Sequence, residues 1–420
     1  TLRVPAVAPG NTALFTGSAP RGGMQNVDAA GLGIGDDHPT RIMGVLNVSA
    51  ESPYDPSVFD DPAEAAAYVE DELVGEGADI VDIGLESANK RFEVLSAEEE
   101  LDRLDVALSV IENASVDPVW SIETRYHEVA AAALDGGFDM INDIAGFADP
   151  EMPRVAEEYG VAAAKMASPP DLTRPGAVEE TPWAERKGED WAEQADYVDM
   201  VYEALKQNGL PDDTIVDPAF GGWSEAKTVA DDRETFRRLR EFRGLGRPML
   251  VSINRKNFLR SLTDRPTEDA LAVSLAATSM AIERGAHVIR THDVRETVDA
   301  AAVGDAFMPE RHRTHANGVS VEELDVSSEG DVRRHADRLG TADLAATATL
   351  AVFDVRGLTE DACEELGGLA ADAETTFATN AAGDGGLLVG THAALETLVE
   401  TTPATAGTGA VLDAVASALK

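Results

Sequence analysis

The chain has 420 residues, of which 44% are apolar, and its 77 acidic residues against 34 Lys and Arg give a formal net charge of −43. The length predicts one large domain and a smaller one, and the apolar content argues against a disordered chain. Nucleic acid and anionic membranes are disfavoured as partners, because their phosphate groups would be repelled. The acid-loaded, Lys-poor composition is halophile-like and predicts solubility in concentrated salt.

The cysteine content and the hydropathy bear on the cellular compartment. Cys363 is the only cysteine, so neither an internal disulfide nor a thiolate cage around zinc can form. No apolar run reaches the roughly 18 residues of a membrane span, and no signal-peptide pattern opens the sequence. A cytoplasmic location without membrane association is therefore predicted.

Residues 1–40 are rich in Gly, Ala and Pro and are predicted to form a loose leader. From Arg41 onward, short apolar runs alternate with amphipathic, Ala-rich segments. Strands are predicted at 42–48, 79–84, 119–123, 140–144, 161–166, 214–217, 249–253 and 288–291. Helices are predicted at 62–75, 97–111, 126–134, 189–206, 231–242 and 267–284.

These strand–helix units span residues 41–308 and match a (β/α)8 TIM barrel, which needs about 250 residues. An open doubly wound sheet is the rival fold, but it would carry a Gly-rich phosphate turn directly after its first strand. In this chain the Gly-rich stretch 31–35 precedes that strand. The sequence therefore predicts an α/β protein built on a TIM barrel.

Two further segments follow the barrel. Residues 309–317 contain Pro309 and several basic residues and are predicted to be a linker. Residues 318–420 are predicted to form a small α/β domain, for which the sequence suggests no role. Its strand-like runs are 347–355, 375–378 and 386–389, and its helical patterns are 331–339, 359–371, 393–398 and 408–419.

Polar residues cluster at the predicted strand ends. TIM barrels place their chemistry at the carboxyl ends of the strands, so these side chains are expected to meet at one mouth. A single Lys, Asp or Asn at a strand end is more often a cap or a surface ion pair, but so many together favour a functional site. The residues are Asn47, Asp82, Glu86, Glu123, Asn142, Asp143, Lys165, Asp217, Asn254, Arg255, Lys256, Arg290, His292 and Asp293.

In their sequence and in their order along the chain, the segments at the strand ends resemble those of the dihydropteroate synthases, which belong to the pterin-binding barrels. The resemblance implies an enzyme that transfers the pterin-methyl group of a dihydropterin pyrophosphate to p-aminobenzoate, releasing pyrophosphate and forming dihydropteroate for folate biosynthesis. It also implies a possible homodimer. The matching stretches are 42–48, 77–87, 121–124, 141–144, 216–218, 255–256 and 290–294.

The resemblance implies which residues bind the pterin. A carboxylate such as Asp217 can accept two N–H groups from the flat 2-amino-4-oxo edge, and Asn142 offers both a donor and an acceptor. Lys256 is expected to donate to the pterin carbonyl and ring nitrogen. Asp82 and Glu123 complete the expected set, and Glu123 stands where relatives usually have Asp.

The second half of the expected site binds the anionic groups of the substrates. The resemblance implies that pyrophosphate and p-aminobenzoate are bound by Asn47, Lys90, Arg91, Arg255, Arg290 and His292. Catalytic roles are expected for Lys256, Arg290 and His292, and Asn47 is the expected protein ligand of Mg²⁺, the expected cofactor.

One loop departs from the family pattern. Relatives carry Glu-Ser-Thr-Arg-Pro after the second strand, whereas residues 86–90 read Glu-Ser-Ala-Asn-Lys. Lys90 or Arg91 would have to replace the missing Thr and Arg, which leaves the second substrate open. The alternatives are therefore a pterin-dependent methyltransferase and a non-catalytic pterin-binding protein.

Overall fold

The computed structural model describes residues 24–48, 58–59, 61–86, 94–167, 183–221, 227–316, 319–342, 344–401, 405 and 407–419. Eight parallel strands form its central sheet: β3 (Arg41–Asn47), β4 (Ile80–Gly84), β5 (Val119–Thr124), β6 (Met140–Asp143), β7 (Ala162–Met166), β8 (Thr214–Asp217), β9 (Leu250–Val251) and β10 (Val288–Thr291). Their order in the sheet is β8-β7-β6-β5-β4-β3-β10-β9. A parallel bridge between Val216 and Met249 joins the two ends of the sheet and closes the barrel. The predicted TIM barrel is therefore confirmed.

Helices lie between the strands and cover the barrel. They are α1 (Pro62–Tyr68), α2 (Ala97–Asn113), α3 (His127–Asp135), α4 (Met152–Tyr159), α5 (Trp183–Lys187), α6 (Glu189–Gln194), α7 (Tyr197–Lys206), α8 (Val229–Arg237), α9 (Asn257–Thr263), α10 (Leu271–Glu283) and α11 (Val294–Phe307). Their starts follow local chemistry: Ser96 caps α2 and forms a reciprocal capping box with Glu99.

Two predicted helices are interrupted. The predicted helix 189–206 breaks between α6 and α7, because Asp196 turns its side chain to cap the N–H of Asp199 and starts a new helix. The predicted helix 231–242 ends at Arg237 and continues as 3₁₀ turns over Leu239–Leu245. Both changes lie on the outside of the barrel and leave the strand ends in place.

The expectation of a loose leader is wrong for residues 27–34. Strands β1 (Val27–Ala29) and β2 (Leu32–Ile34) form an antiparallel hairpin. Val27, Ala29 and Ile34 are buried and belong to one apolar cluster with inward-facing barrel residues such as Met43 and Ile80. The hairpin therefore plugs the amino-terminal end of the barrel. Apolar burial stabilises it, since each strand has only three residues.

The expectation of a linker at 309–317 is also wrong in part. Strand β11 (Arg313–Ala316) pairs with β12 (Val319–Glu322). Just before it, Arg311 donates to both carboxylate oxygens of Asp36, each at 3.2 Å. Arg243 reaches the same carboxylate at 2.8 Å. Through Arg311, this segment is thus held at the base of the barrel by an ion pair with the buried Asp36.

The expected small α/β domain is present, with a later start than predicted. Strands β13 (Leu350–Arg356), β14 (Thr376–Thr379) and β15 (Gly385–Thr391) form an antiparallel sheet in the order β13-β15-β14. The accompanying helices are α13 (Ala345–Ala348), α14 (Glu360–Asp372), α15 (His392–Thr401) and α16 (Gly409–Ala418), and their core includes Leu366, Leu388, Leu395 and Leu398.

Helix α12 (Glu329–Leu339), predicted as part of that domain, packs on the barrel. Its Arg334 donates to Glu241 at 3.1 Å and covers the ring of Tyr202, with 4.2 Å between the guanidinium carbon and the ring centroid. Among the helices of the described segments, none is long and apolar enough to cross a bilayer.

Candidate functional site

Asp82 is the centre of a polar network inside the carboxyl end of the barrel. One carboxylate oxygen accepts the Ser121 hydroxyl at 2.6 Å. The other accepts the Asn142 amide at 2.9 Å and the Arg290 Nε at 2.7 Å. Asp82 is fully buried. The four residues come from β4, β5, β6 and β10, and strand pleating turns them all inward.

Arg290 joins this network to a second acid. Its Nη2 donates to Glu123 Oε2 at 2.6 Å, while its Nε holds Asp82. Burial raises the pKa of Glu123, and the charge of Arg290 opposes that rise. One guanidinium therefore supports both acids, because removing it would leave two buried carboxylates without their cation.

Asp217 ends β8 at the opposite side of the mouth. Its Oδ1 accepts the N–H of Ala219 at 2.7 Å. Burial raises the pKa of Asp217 to about 6, against the lowering effects of this hydrogen bond and of Lys256. The carboxyl is therefore mostly ionised at neutral pH and can accept two N–H groups from a ligand.

Lys256 lies between these groups, in the segment after β9 and immediately before α9. Burial and the neighbouring charge of Arg290 lower the pKa of Lys256 to about 8. Its side chain lies against Gly221, where a Cβ atom would be 3.1 Å from the ammonium nitrogen. Gly221 has φ of +110°, so glycine suits this position for both its conformation and its lack of a side chain.

A buried ion pair holds the turn that carries Gly221, and the sequence reasoning did not identify it. Lys227 donates to Asp232 at 2.7 Å. Both oxygens of Asp232 accept the N–H of Gly221 at 3.2 Å. The sequence does show a Lys ten residues after Asp217. Its contact with Asp232, and that of Asp232 with Gly221, depend on how the chain folds back and could not be predicted from the sequence.

A cleft of about 160 Å³ opens beside Arg290. His292 lines it, and burial together with the charges of Arg290 and Lys256 lowers the pKa of His292 to about 3. The imidazole is therefore neutral at physiological pH and offers an N–H dipole without a positive charge. The cleft residues are Val45, Ser252, Asn254, Arg255, Lys256, Thr267, Arg290, Thr291 and His292.

Arg255 lines the same cleft but is strongly engaged within the protein. Its Nε and Nη2 each donate a hydrogen bond to the Asp293 carboxylate at 2.8 Å. Its Nη1 donates to the carbonyls of Thr267 and Glu268 at 2.8 and 2.7 Å. Most of its donors are used in fixing these loops, so direct binding of a ligand by Arg255 stays a prediction.

Asn47 ends β3 and is 9% exposed at the same mouth. Its amide oxygen faces Gly84, 3.1 Å from the position that a Cβ atom would take there. The same point is 3.8 Å from Glu123 Oε1. Lys90 and Arg91 lie outside the described residues.

Two polar residues that were expected at the mouth face away from it. Lys165 donates to the carbonyl oxygens of Gln207 and Gly209, the latter at 2.7 Å, in the layer between strands and helices. Asp143 accepts the N–H groups of Ala145 and Phe147. Burial lowers the pKa of Lys165 and raises that of Asp143, each to about 7. Strand alternation explains both positions.

Comparisons with known proteins agree with this geometry. The family described as "Pterin binding enzyme" matches residues 43–292. A Bacillus subtilis dihydropteroate synthase is 30% identical over 270 residues, which cover 64% of this chain and 89% of the relative. A Halobacterium salinarum protein named "Probable bifunctional folylpolyglutamate synthase/dihydropteroate synthase" is 35% identical over 268 residues, or 64% of this chain and 31% of that protein.

Solved structures give the same result. A Xanthomonas albilineans dihydropteroate synthase with 4-aminobenzoic acid has a TM-score of 0.54 and 30% identity, covering 67% of this chain and 98% of that one. A Coxiella burnetii dihydropteroate synthase in complex with pteroic acid has a TM-score of 0.54 and 27% identity, with the same coverage. The chain spans about a third of the length of the halophile relatives it matches. By sequence and fold, it belongs to the pterin-binding enzyme family and, within it, to the dihydropteroate synthases.

Proposed function

We propose that this chain transfers the pterin-methyl group of a dihydropterin pyrophosphate to p-aminobenzoate, forming dihydropteroate and releasing pyrophosphate. The observation that carries the proposal is the convergence of Asp217, Asn142 and Lys256 with Arg290 and His292 at one barrel mouth. The first three suit a pterin edge, and the last two line a cleft beside it.

Pterin recognition is assigned to groups of matched polarity. Asp217 accepts from the 2-amino group and the ring N–H, while protonated Lys256 donates to the carbonyl side. Asn142 already donates to Asp82, so its amide oxygen is oriented to accept from the ligand. Asp82 and Glu123 share Arg290, and their first task is to hold that guanidinium and Asn142 in place.

The departure of pyrophosphate is assigned to the other side of the mouth. Breaking the C–O bond leaves a cation that the pterin ring delocalises, so the protein needs to position the substrates and stabilise the departing charge. Arg290 supplies a positive charge there, and neutral His292 supplies an N–H group. The amine of p-aminobenzoate then attacks the methylene carbon and releases a proton.

The family implies Mg²⁺, and the donor set fits an ion that arrives with the substrate. Mg²⁺ prefers oxygen ligands and usually keeps waters and substrate phosphates beside one or two protein oxygens. Asn47 would supply that oxygen, and the ion would offset the charge of the pyrophosphate. Among the described residues, the one group of three potential metal-ligating side chains is His127, Glu128 and Asp149, outside this cleft.

We further propose that Lys90, Arg91 and Arg255 contribute to binding of p-aminobenzoate and pyrophosphate. By its resemblance to the family, the protein is proposed to act in the cytoplasm as a homodimer.

The test is ligand-induced stabilisation in molar KCl. A ligand that binds only the folded state at 100 times its dissociation constant adds about 2.7 kcal/mol to the free energy of unfolding. The pterin pyrophosphate with Mg²⁺ is expected to raise the melting temperature of the protein and to do so much less for Asp217→Asn. Stabilisation by methyl-tetrahydrofolate alone would favour the methyltransferase alternative and contradict the proposal.

A further inference from the structure

A small cavity lies at the base of the barrel, at the opposite end from the proposed active site. Its volume of about 10 Å³ holds one occupant of the size of a water molecule. Asp36, shortly before β3, and Arg243, shortly before β9, line it from the barrel. Arg311, His335 and Arg338 line it from the segment that follows α11. The cavity therefore lies where that segment is attached to the barrel.

Three side chains of this cavity have N–H groups without an acceptor. Within the described part of the chain, Nη1 of Arg243, Nε of Arg338 and Nε2 of His335 are buried and have no hydrogen-bond partner. The Arg243 side chain is only 4% exposed, and His335 is only 6% exposed. Leaving such donors unsatisfied is costly, because they have lost contact with water without gaining another acceptor.

The hydrogen bonding of His335 fixes which of its ring nitrogens carries the proton. Nη2 of Arg338 can only donate, and it lies 3.3 Å from Nδ1 of the ring. Burial, together with the charges of Arg338 and Arg243, lowers the pKa of His335 to about 4. The ring is therefore neutral at physiological pH, with its proton on Nε2. All three unsatisfied nitrogens are consequently donors.

Asp36, the acid at the centre of this region, already has its own donors. It accepts N–H groups from Arg243 at 2.8 Å, from Arg311 at 3.2 Å through each oxygen, and from His287 at 3.0 Å. A carboxylate offers about four lone-pair sites, and these contacts use them. Asp36 therefore has no capacity left for the unsatisfied donors of Arg338 and His335.

Two further acids line the cavity and are also paired. Glu322 meets Arg313 at 3.1 Å, and Asp325 meets Arg240 at 3.3 Å. Among the described residues, Arg338 has its hydrogen bond with neutral His335 and forms no ion pair with these acids. One positive charge at the cavity is thus left without a carboxylate in contact with it.

A single small anion would satisfy these groups better than a water molecule. Water brings two hydrogens that need acceptors, and the acids of the wall are taken, whereas an anion accepts from every donor. The volume of about 10 Å³ is too small for sulfate, phosphate or a carboxylate, and it suits a halide. The Arg311 side chain is 15% exposed, so solvent reaches this wall of the cavity.

We propose that this cavity binds one chloride ion through Arg243, Arg338 and His335, and that the ion holds α12 and the segment before it on the barrel. The site is separate from the proposed active site and does not depend on the proposed reaction. Molar salt both supplies the ion and screens the net charge of −43, which would repel an anion in dilute solution. Because only the folded state has the cavity, chloride should stabilise that state.

The first experiment separates a chloride site from general salt effects. The full chain is unfolded by heat in molar potassium glutamate, in which glutamate is replaced stepwise by chloride at constant ionic strength, so screening does not change. Above the dissociation constant, the melting temperature is expected to rise by equal steps for each tenfold increase in chloride. Bromide should act in the same way. A change that is linear in chloride concentration would reflect general solvent effects and overturn the proposal.

Arg338→Met tests the contact, with Arg333→Met on the same helix as the matched control. The stem of Arg338 packs on Gly246, where a Cβ atom would be 3.1 Å from Cδ of the arginine, and methionine keeps much of that packing. The Arg333 side chain is 49% exposed. In Arg338→Met, stabilisation should need at least about tenfold more chloride, as loss of a charged donor predicts, while Arg333→Met should respond as wild type does. An equal response of all three proteins overturns the proposal.

Crystals of wild-type protein grown in potassium bromide locate the ion directly, without relying on any variant. An anomalous peak is expected between Arg243, Arg338 and His335, and it should be absent from Arg338→Met. A cavity that holds water and no bromide overturns the proposal. A peak that persists in Arg338→Met, together with no halide effect on wild-type stability, would mean an adventitious ion only and would also overturn it.

Discussion

Lowering the pH from about 7 to about 5 is expected to weaken pterin binding about tenfold, because a carboxyl with a pKa of about 6 becomes mostly protonated over that interval. Asp217 offers two acceptor oxygens only when it is ionised. Its protonated form would place a donor against the N–H groups of the pterin. Affinity should therefore fall with acid.

The opposite limb of the profile belongs to Lys256. Its pKa of about 8 means that the ammonium loses its proton as the pH rises past that value. The neutral amine donates more weakly to the pterin carbonyl, so affinity should fall again. Pterin binding is thus expected to be strongest between about pH 6 and about pH 8.

The assay is calorimetry with a bare 6-hydroxymethyl dihydropterin, which has no phosphate that titrates in this range. Asp217→Asn is the control and should bind about 2 kcal/mol more weakly at neutral pH, with the acidic limb abolished. A flat wild-type profile would refute the reasoning. An acidic limb that persists in Asp217→Asn would move the titration to another group, with Glu123 as the first candidate because burial raises its pKa.

Three further outcomes are expected. The melting temperature should rise from dilute buffer to molar KCl, because the Debye length falls from about 10 Å at 0.1 M to about 3 Å at 1 M and screens the net charge of −43; a flat series of melting curves would contradict this. Asp36→Asn should lower the free energy of unfolding by about 3–5 kcal/mol, since Arg243 and Arg311 lose their buried acid, and denaturant unfolding with an unchanged midpoint would oppose it. Lys90→Ala and Arg91→Ala should each raise the KM for p-aminobenzoate, and initial rates that show no change would remove both from the acceptor site.

Strand ends were predictable because they combine two strong local signals. Apolar runs of barrel-strand length end in polar residues, and β8 and β10 begin and end at the residues predicted for them. Asp82, Asn142 and Arg290 come together because adjacent parallel strands share a register. Arg290 can reach Asp82 because β10, the last barrel strand in sequence, pairs with β3, the first.

Features set by long-range packing were not predictable. The hairpin of β1 and β2 has strands too short to show a periodic pattern, and its burial depends on the open base of the barrel. Arg290 was expected to bind pyrophosphate, but its ion pairs with Asp82 and Glu123 were not predicted, because these carboxylates lie on strands far away in sequence. Lys165 illustrates an error that alternation could have corrected, because its neighbour Ala164 faces the barrel interior.

Formation of dihydropteroate is the most direct test of the central claim. The full chain is supplied with the pterin pyrophosphate, p-aminobenzoate and Mg²⁺ in molar KCl, and the product and pyrophosphate are quantified together. The account predicts both in equal amounts, with formation strongly reduced in Asp217→Asn. Folded protein that binds the pterin but forms neither product would contradict it.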